Sequence, residues 1–249
     1  LEILESVRPE NLRDVAREWL SKGSFILEVH PFNEQLMASG ADVDRSEPPI
    51  PDIFPNSPFP DLERTKLSNG MQLIVARRDA VPVINFSLQL NAGYASDQFA
   101  APGTAGLAMT MLDQGTGTRD TLEISENLAQ LGAQLRAGSN LDYSFVSLSA
   151  LKENLNESLA IYSDVILNPA FPEEELSRQK RLSISQIQRE KTTPMSMALR
   201  IFPALIYGEG HAYSLPMTGS GSEEAIPALA REDLLALHDT WFKPNNATM

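Results

Sequence analysis

Cysteine is absent from this 249-residue chain, so neither a disulfide scaffold nor a thiolate metal site is available to it. Histidine is scarce: His30, His211 and His238 are the full set, and no two lie within helical reach of each other. A histidine-rich zinc site inside the chain is therefore disfavoured. Basic residues are outnumbered 33 to 20, giving a formal net charge of −13. That balance argues against wrapping a nucleic acid, and any long-range attraction should favour neutral or cationic partners. No run approaches the ~20 apolar residues needed to cross a bilayer, so no membrane span is expected. Disorder throughout is excluded by the 42% hydrophobic content, which is enough for one large domain or two small ones.

Three zones follow along the chain. In residues 1–32, VRPENLRDVAREWL places Leu12, Val15, Ala16 and Trp19 at helical spacing, with Pro9 suited to a first turn. Residues 24–30 (SFILEVH) predict a strand. A helix and one strand cannot bury each other, and the chain opens on Leu1 without a Met, so their packing partners are expected elsewhere. Residues 33–61 crowd six prolines, from Pro48 to Pro60, into an acidic stretch, which predicts an extended linker.

From about Leu62 to Met249 the pattern is that of an α+β domain. Strands are expected at residues 62–67 and 71–76 around an Asn-Gly turn, and at 83–90, where apolar and polar residues alternate. Helices are expected at 104–112 and 121–131, then paired strands at 134–137 and 143–149. Further helices follow at 152–167, 172–191, from Pro194 to about Tyr207, and 231–241. Strands adjacent in sequence predict a mainly antiparallel sheet of about six strands, with helices packed on one face.

Several segments carry a family resemblance. LSNGMQLIVARR, the strand ending in Asn91, Ala92 and Gly93, and PGTAGLAMTMLDQGT resemble the opening of a domain of the insulinase/pitrilysin-type zinc metallopeptidases, family M16. ENLAQLGAQLRAGSNLDYSFVSLSAL, LNPAFPEEELSRQKRLSISQIQRE and YGEGHAYSLPMTGSGSEEAIPALAREDLLALHDTWFKPNNA continue it, in the family's order, over nearly all of residues 62–249. By the same resemblance, residues 1–32 look like the end of a preceding domain. The implied parent is a longer, multi-domain zinc peptidase whose secreted or periplasmic bacterial members suggest a location.

Active members of the family carry His-x-x-Glu-His on the helix after the GTA-like turn. Two histidines at i and i+4 share a helix face and reach one zinc, while the Glu acts as general base toward a zinc-bound water. A Glu on a later helix completes the ligand set. On this sequence the first His falls on Gly106, the Glu on Met109, the second His on Thr110 and the later Glu on Gln186. Gly has no donor, Met is a weak soft ligand, and the neutral oxygens of Thr and Gln are rarely chosen by zinc. The resemblance therefore implies no catalytic residue, metal or other cofactor in this fragment, with zinc assigned to the parent. The implied partners are the N-terminal half of the same chain and a peptide substrate. A purely structural or assembly role, like that of inactive family members, is the alternative.

Other candidates have plainer readings. Asp113 and Gln114 fit a solvated helix end, and His211 a hydrogen-bonding loop position. His238, beside Asp239, fits a half-buried helical histidine. Gly219, Ser220, Gly221 and Ser222 precede two acids and no lysine, so they suit a loop and helix cap rather than a phosphate cradle. Glu173, Glu174 and Glu175 suit the positive end of a helix dipole. No strand–Ser–helix elbow marks a serine nucleophile.

Overall fold

The computed structural model describes residues 7–23, 26–28, 60–78 and 80–249. The chain divides into two compact units, Leu1–Ser57 and Pro58–Met249. In the first, α1 (Pro9–Leu20) forms as its periodicity predicts, yet none of its residues is buried. Leu12, Val15 and Trp19 are 63%, 56% and 73% exposed, so this amphipathic stripe has no packing partner among the described residues. Of the strand expected at 24–30, residues 26–28 are described and lie in no strand, and the rest falls outside the described residues. The proline-rich linker falls almost wholly outside the described residues.

The second unit holds β1 (Leu62–Lys66), β2 (Gln72–Ala76), β3 (Val83–Leu90), a 3-10 turn (Tyr94–Phe99), α2 (Thr104–Met111) and α3 (Thr121–Gln130). It continues with β4 (Gln134–Ser139), β5 (Ser144–Leu151), α4 (Leu155–Leu167), α5 (Glu173–Thr192) and α6 (Pro194–Tyr207). A short α7 (Ala225–Ala228), α8 (Arg231–Trp241) and the two-residue β6 (Ala247–Thr248) close it. The sheet order is β1-β2-β6-β3-β5-β4. Every pair is antiparallel except β2 with β6, which the sequence pattern did not anticipate. A two-residue strand carries too little alternation to be read, and only the gap between β2 and β3 makes it a strand.

Alternation decides which face is buried. On β3, Leu88 and Leu90 are buried while Val83, Asn85, Ser87 and Gln89 are exposed. On β5, Val146, Leu148 and Ala150 point inward, in register with Leu88, Phe86 and Ile84. Helices cover that face: α4 contributes Ile161, Tyr162 and Val165, and α2 contributes five apolar side chains from Ala105 to Met111. The Tyr162 hydroxyl bridges two strands, donating to the Val146 carbonyl at 2.8 Å and accepting from the Leu88 N–H at 3.3 Å. Burial pushes its pKa up to about 12.

A buried carboxylate meets the first turn of α2 where the helix enters the core. Asp97, 2% exposed, accepts the backbone N–H groups of Gly103 at 2.7 Å and Ala105 at 2.9 Å. The first N–H groups of a helix have no partner within it, and this side chain supplies one from outside. Burial raises the Asp97 pKa to about 6, against the opposing pull of those backbone bonds. A carboxyl that holds its proton more tightly when folded stabilises the fold below its unfolded pKa, and that contribution is lost as pH rises through the folded value. Between about pH 4 and about pH 6, Asp97→Asn should therefore show a smaller fall in unfolding free energy than the unmodified chain. Urea unfolding across that range measures it, and equal falls in both proteins would place the titration elsewhere.

Candidate functional site

Helix α2 is buried on every side but one. Among its eight residues only Gly106 and Thr110, one turn apart, are not buried, so the i, i+4 face expected for ligands is the face that reaches a cleft. The cleft has a volume of about 600 Å³. Gly106 and Thr110 line it from α2, Gln186 and Arg189 from α5, and Gly138 and Ser139 from the end of β4. The three positions read as lost ligands are thus brought together. The position of the general base is not: Met109, 1% exposed, packs into the core, as an unbranched apolar side chain can.

Their polar atoms are already engaged. The Thr110 hydroxyl donates to the Gly106 carbonyl at 2.9 Å. Gln186 donates through Nε2 to Glu190 at 3.2 Å and accepts from Arg189 at 2.6 Å. Among the described residues, no group of three or more His, Asp or Glu side chains is arranged to hold a metal. The donor set at this cleft does not fit zinc, since it offers no imidazole and no free carboxylate.

Glu190 lines the cleft and forms a buried ion pair that the residue patterns did not reveal. Glu190 and Arg200 meet at 2.8 Å, their side chains only 6% and 10% exposed. The Ser220 hydroxyl donates to Glu190 at 2.7 Å, and Arg200 donates to the Ser220 oxygen at 2.6 Å and the Gly221 carbonyl at 2.9 Å. Burial alone would raise the Glu190 pKa, but the bonds from Ser220, Arg200, Gln186 and Thr218 outweigh it and hold the carboxyl below its usual range. Two signals for this pair exist in the sequence. Glu190 lies one turn beyond Gln186 on the same helix face, and Arg200 is the lone charge in the apolar helix PMSMALRIFPALIY.

Of the remaining candidates, Gly219 and Ser220 also line the cleft, and the others are not among its lining residues. Gln114 bonds to Asp113 at 2.8 Å and accepts from Arg178 at 3.4 Å, at the end of α2. His211 Nδ1 accepts the Tyr213 N–H at 3.0 Å, and its ring stacks on Tyr207 with centroids 5.1 Å apart. His238 Nε2 lies 2.7 Å from the Ile166 carbonyl, which an N–H must donate to, and its ring packs on Phe242 at 4.4 Å. Ser222 caps the next turn by accepting from Ala225 N–H at 3.0 Å. Glu173, Glu174 and Glu175 fill the first turn of α5.

With this geometry in place, comparison with known proteins is decisive. The sequence profile described as Insulinase (Peptidase family M16) matches residues 73–214. The chain belongs to that family. It is 20% identical over 188 residues to the uncharacterized zinc protease YmxG of Bacillus subtilis, an alignment covering 76% of this chain and 45% of that protein. It is 24% identical over 209 residues to the mitochondrial-processing peptidase subunit beta of Rattus norvegicus, covering 84% of this chain and 42% of the relative. The chain thus spans less than half the length of these curated relatives. Among solved structures, a peptidase M16 inactive domain from Pseudomonas fluorescens superposes with a TM-score of 0.72 at 24% identity, covering 76% of this chain and 45% of that one. The periplasmic protease PqqL from Escherichia coli gives a TM-score of 0.64 at 18% identity, covering 78% of this chain and 22% of that one. These likenesses establish the M16-like α+β fold.

Removing the cation from the buried pair should be costly, because it strands a desolvated carboxylate. Arg200→Met should lower the unfolding free energy at neutral pH by about 3–5 kcal/mol. Arg200→Met/Glu190→Leu should recover most of that loss, and urea unfolding of both variants provides the check.

Proposed function

We propose that this domain is a non-catalytic wall of a multi-domain zinc peptidase, with the zinc chemistry supplied by another half of the parent chain. The observation that carries the reading is the cleft itself. Gly106, Thr110 and Gln186 meet there, yet between them they present no group that holds zinc or serves as its base. The relatives named zinc proteases and the neighbour named an inactive domain support the same division of labour.

The physics of such a division is straightforward. Cleavage needs one metal, while holding an extended peptide for it needs opposing surfaces that exclude water and fix the scissile bond. In this domain β4 is a terminal strand of the sheet, and its last residues, Gly138 and Ser139, run into the cleft. A terminal strand offers unpaired backbone groups on which a peptide can lie as an added strand. A second feature supports a role against another surface: α6 exposes Met195, Leu199, Phe202 and Ile206, all uncharged. In this reading that stripe faces the other half, residues 1–32 end the preceding domain, and residues 33–61 tether the two.

The purified chain should contain well below one zinc per molecule by elemental analysis. It should also leave an unstructured peptide uncut. A one-to-one zinc content removable by chelator, or peptide cleavage that the chelator abolishes, would overturn this reading.

A further inference from the structure

Family membership implies zinc, and the residues at this cleft do not fit it. Loss of donor atoms is only part of the reason. A Cβ added to Gly106 would lie 2.8 Å from the backbone carbonyl oxygen of Gly219. Carbon and oxygen do not approach so closely without contact strain, and the obstructing atom is backbone, which cannot swing aside like a side-chain tip. The loop on that side has little slack of its own. Gly219 sits at φ +69°, and a Cβ there would meet the Tyr94 ring at 2.8 Å.

The same loop is fastened from three directions. The Tyr94 hydroxyl, on the 3-10 turn, donates to the Met217 carbonyl at 2.7 Å. From α6, the Leu199 carbonyl accepts the Met217 N–H at 2.9 Å. That carbonyl is free because Pro203, four residues on, has no N–H to give it. From α5, Glu190 accepts the Ser220 hydroxyl, while Arg200 of α6 reaches past it to the Gly221 carbonyl.

We infer that residues 216–221 form a fixed plug occupying the space a side chain at position 106 would need, latched by Glu190 and Arg200. The position is rebuilt rather than vacated. The buried ion pair and its hydroxyl now join α5, α6 and this loop beside α2. Gly106 is retained by a contact, and a ligand side chain returned there would first have to dislodge the loop. The inference depends on the functional reading only for the site's location. Bound zinc tests that reading and loop protection tests this one, so the two fail separately.

Helix propensity gives the experiment a sign. Gly inside a helix is less favourable than Ala, so without the plug Gly106→Ala would raise the melting temperature. With the plug, Gly106→Ala lowers it, and amide exchange across residues 216–221 rises by about tenfold or more while β3 and β5 keep their protection. Gly117→Ala, at a glycine with nothing within 4 Å of an added Cβ, is the control and leaves that exchange unchanged. Should Gly106→Ala fail to fold, Ser220→Ala removes the hydroxyl's bonds to Glu190 and Arg200 without touching α2 and is expected to raise exchange in the same segment. A stabilised Gly106→Ala, or a Ser220→Ala chain whose loop exchanges at the unmodified rate, would overturn the proposal.

Discussion

A carboxylate with almost no access to water sets the shape of the cleft. Glu190 is 6% exposed and cannot remain ionised there unless cation and hydroxyl donors converge on it. Arg200 and Ser220 do so, and Gln186 joins from one turn earlier on α5. Because those donors come from α6 and the following loop, satisfying one charge fixes three segments against each other.

The rest of the domain divides naturally from that point. The sheet and α4 bury a conventional apolar core, tied by the Tyr162 hydroxyl to two neighbouring strands. Helix α2 sits between that core and the cleft, capped by the buried Asp97, with one narrow face outward. In a family built around metal on this helix, the outward face is where chemistry would be expected. Here it bears a hydrogen atom at Gly106 and a hydroxyl at Thr110 that folds back on its own helix.

Much of the architecture was legible in the residues. The alternation in VINFSLQL gave β3 at its observed limits, and REDLLALHDTW gave α8 at its own. The Asn-Gly pair placed the first hairpin. Less legible were elements whose identity is set by neighbours. The β4–β5 ladder runs on to Ser139 and Leu151, beyond the predicted ends, because strand pairing continues where side-chain alternation fades. Residues 152–154 form a 3-10 turn rather than the start of α4, and Asp97 was unremarked in its loop.

The sequence by itself determined the fold class, the family and the side chains available at the ligand positions, since periodicity and residue chemistry are local properties. It determined that Gly106 brings no side-chain ligand. It did not determine what Gly106 does. That required knowing that a loop more than a hundred residues later would bring the Gly219 carbonyl against α2. The pairing of Glu190 with Arg200 was likewise decided by tertiary structure, because burial and proximity belong to no single segment. Only when the chain is packed does an isolated arginine in an apolar helix find the one carboxylate that needs it.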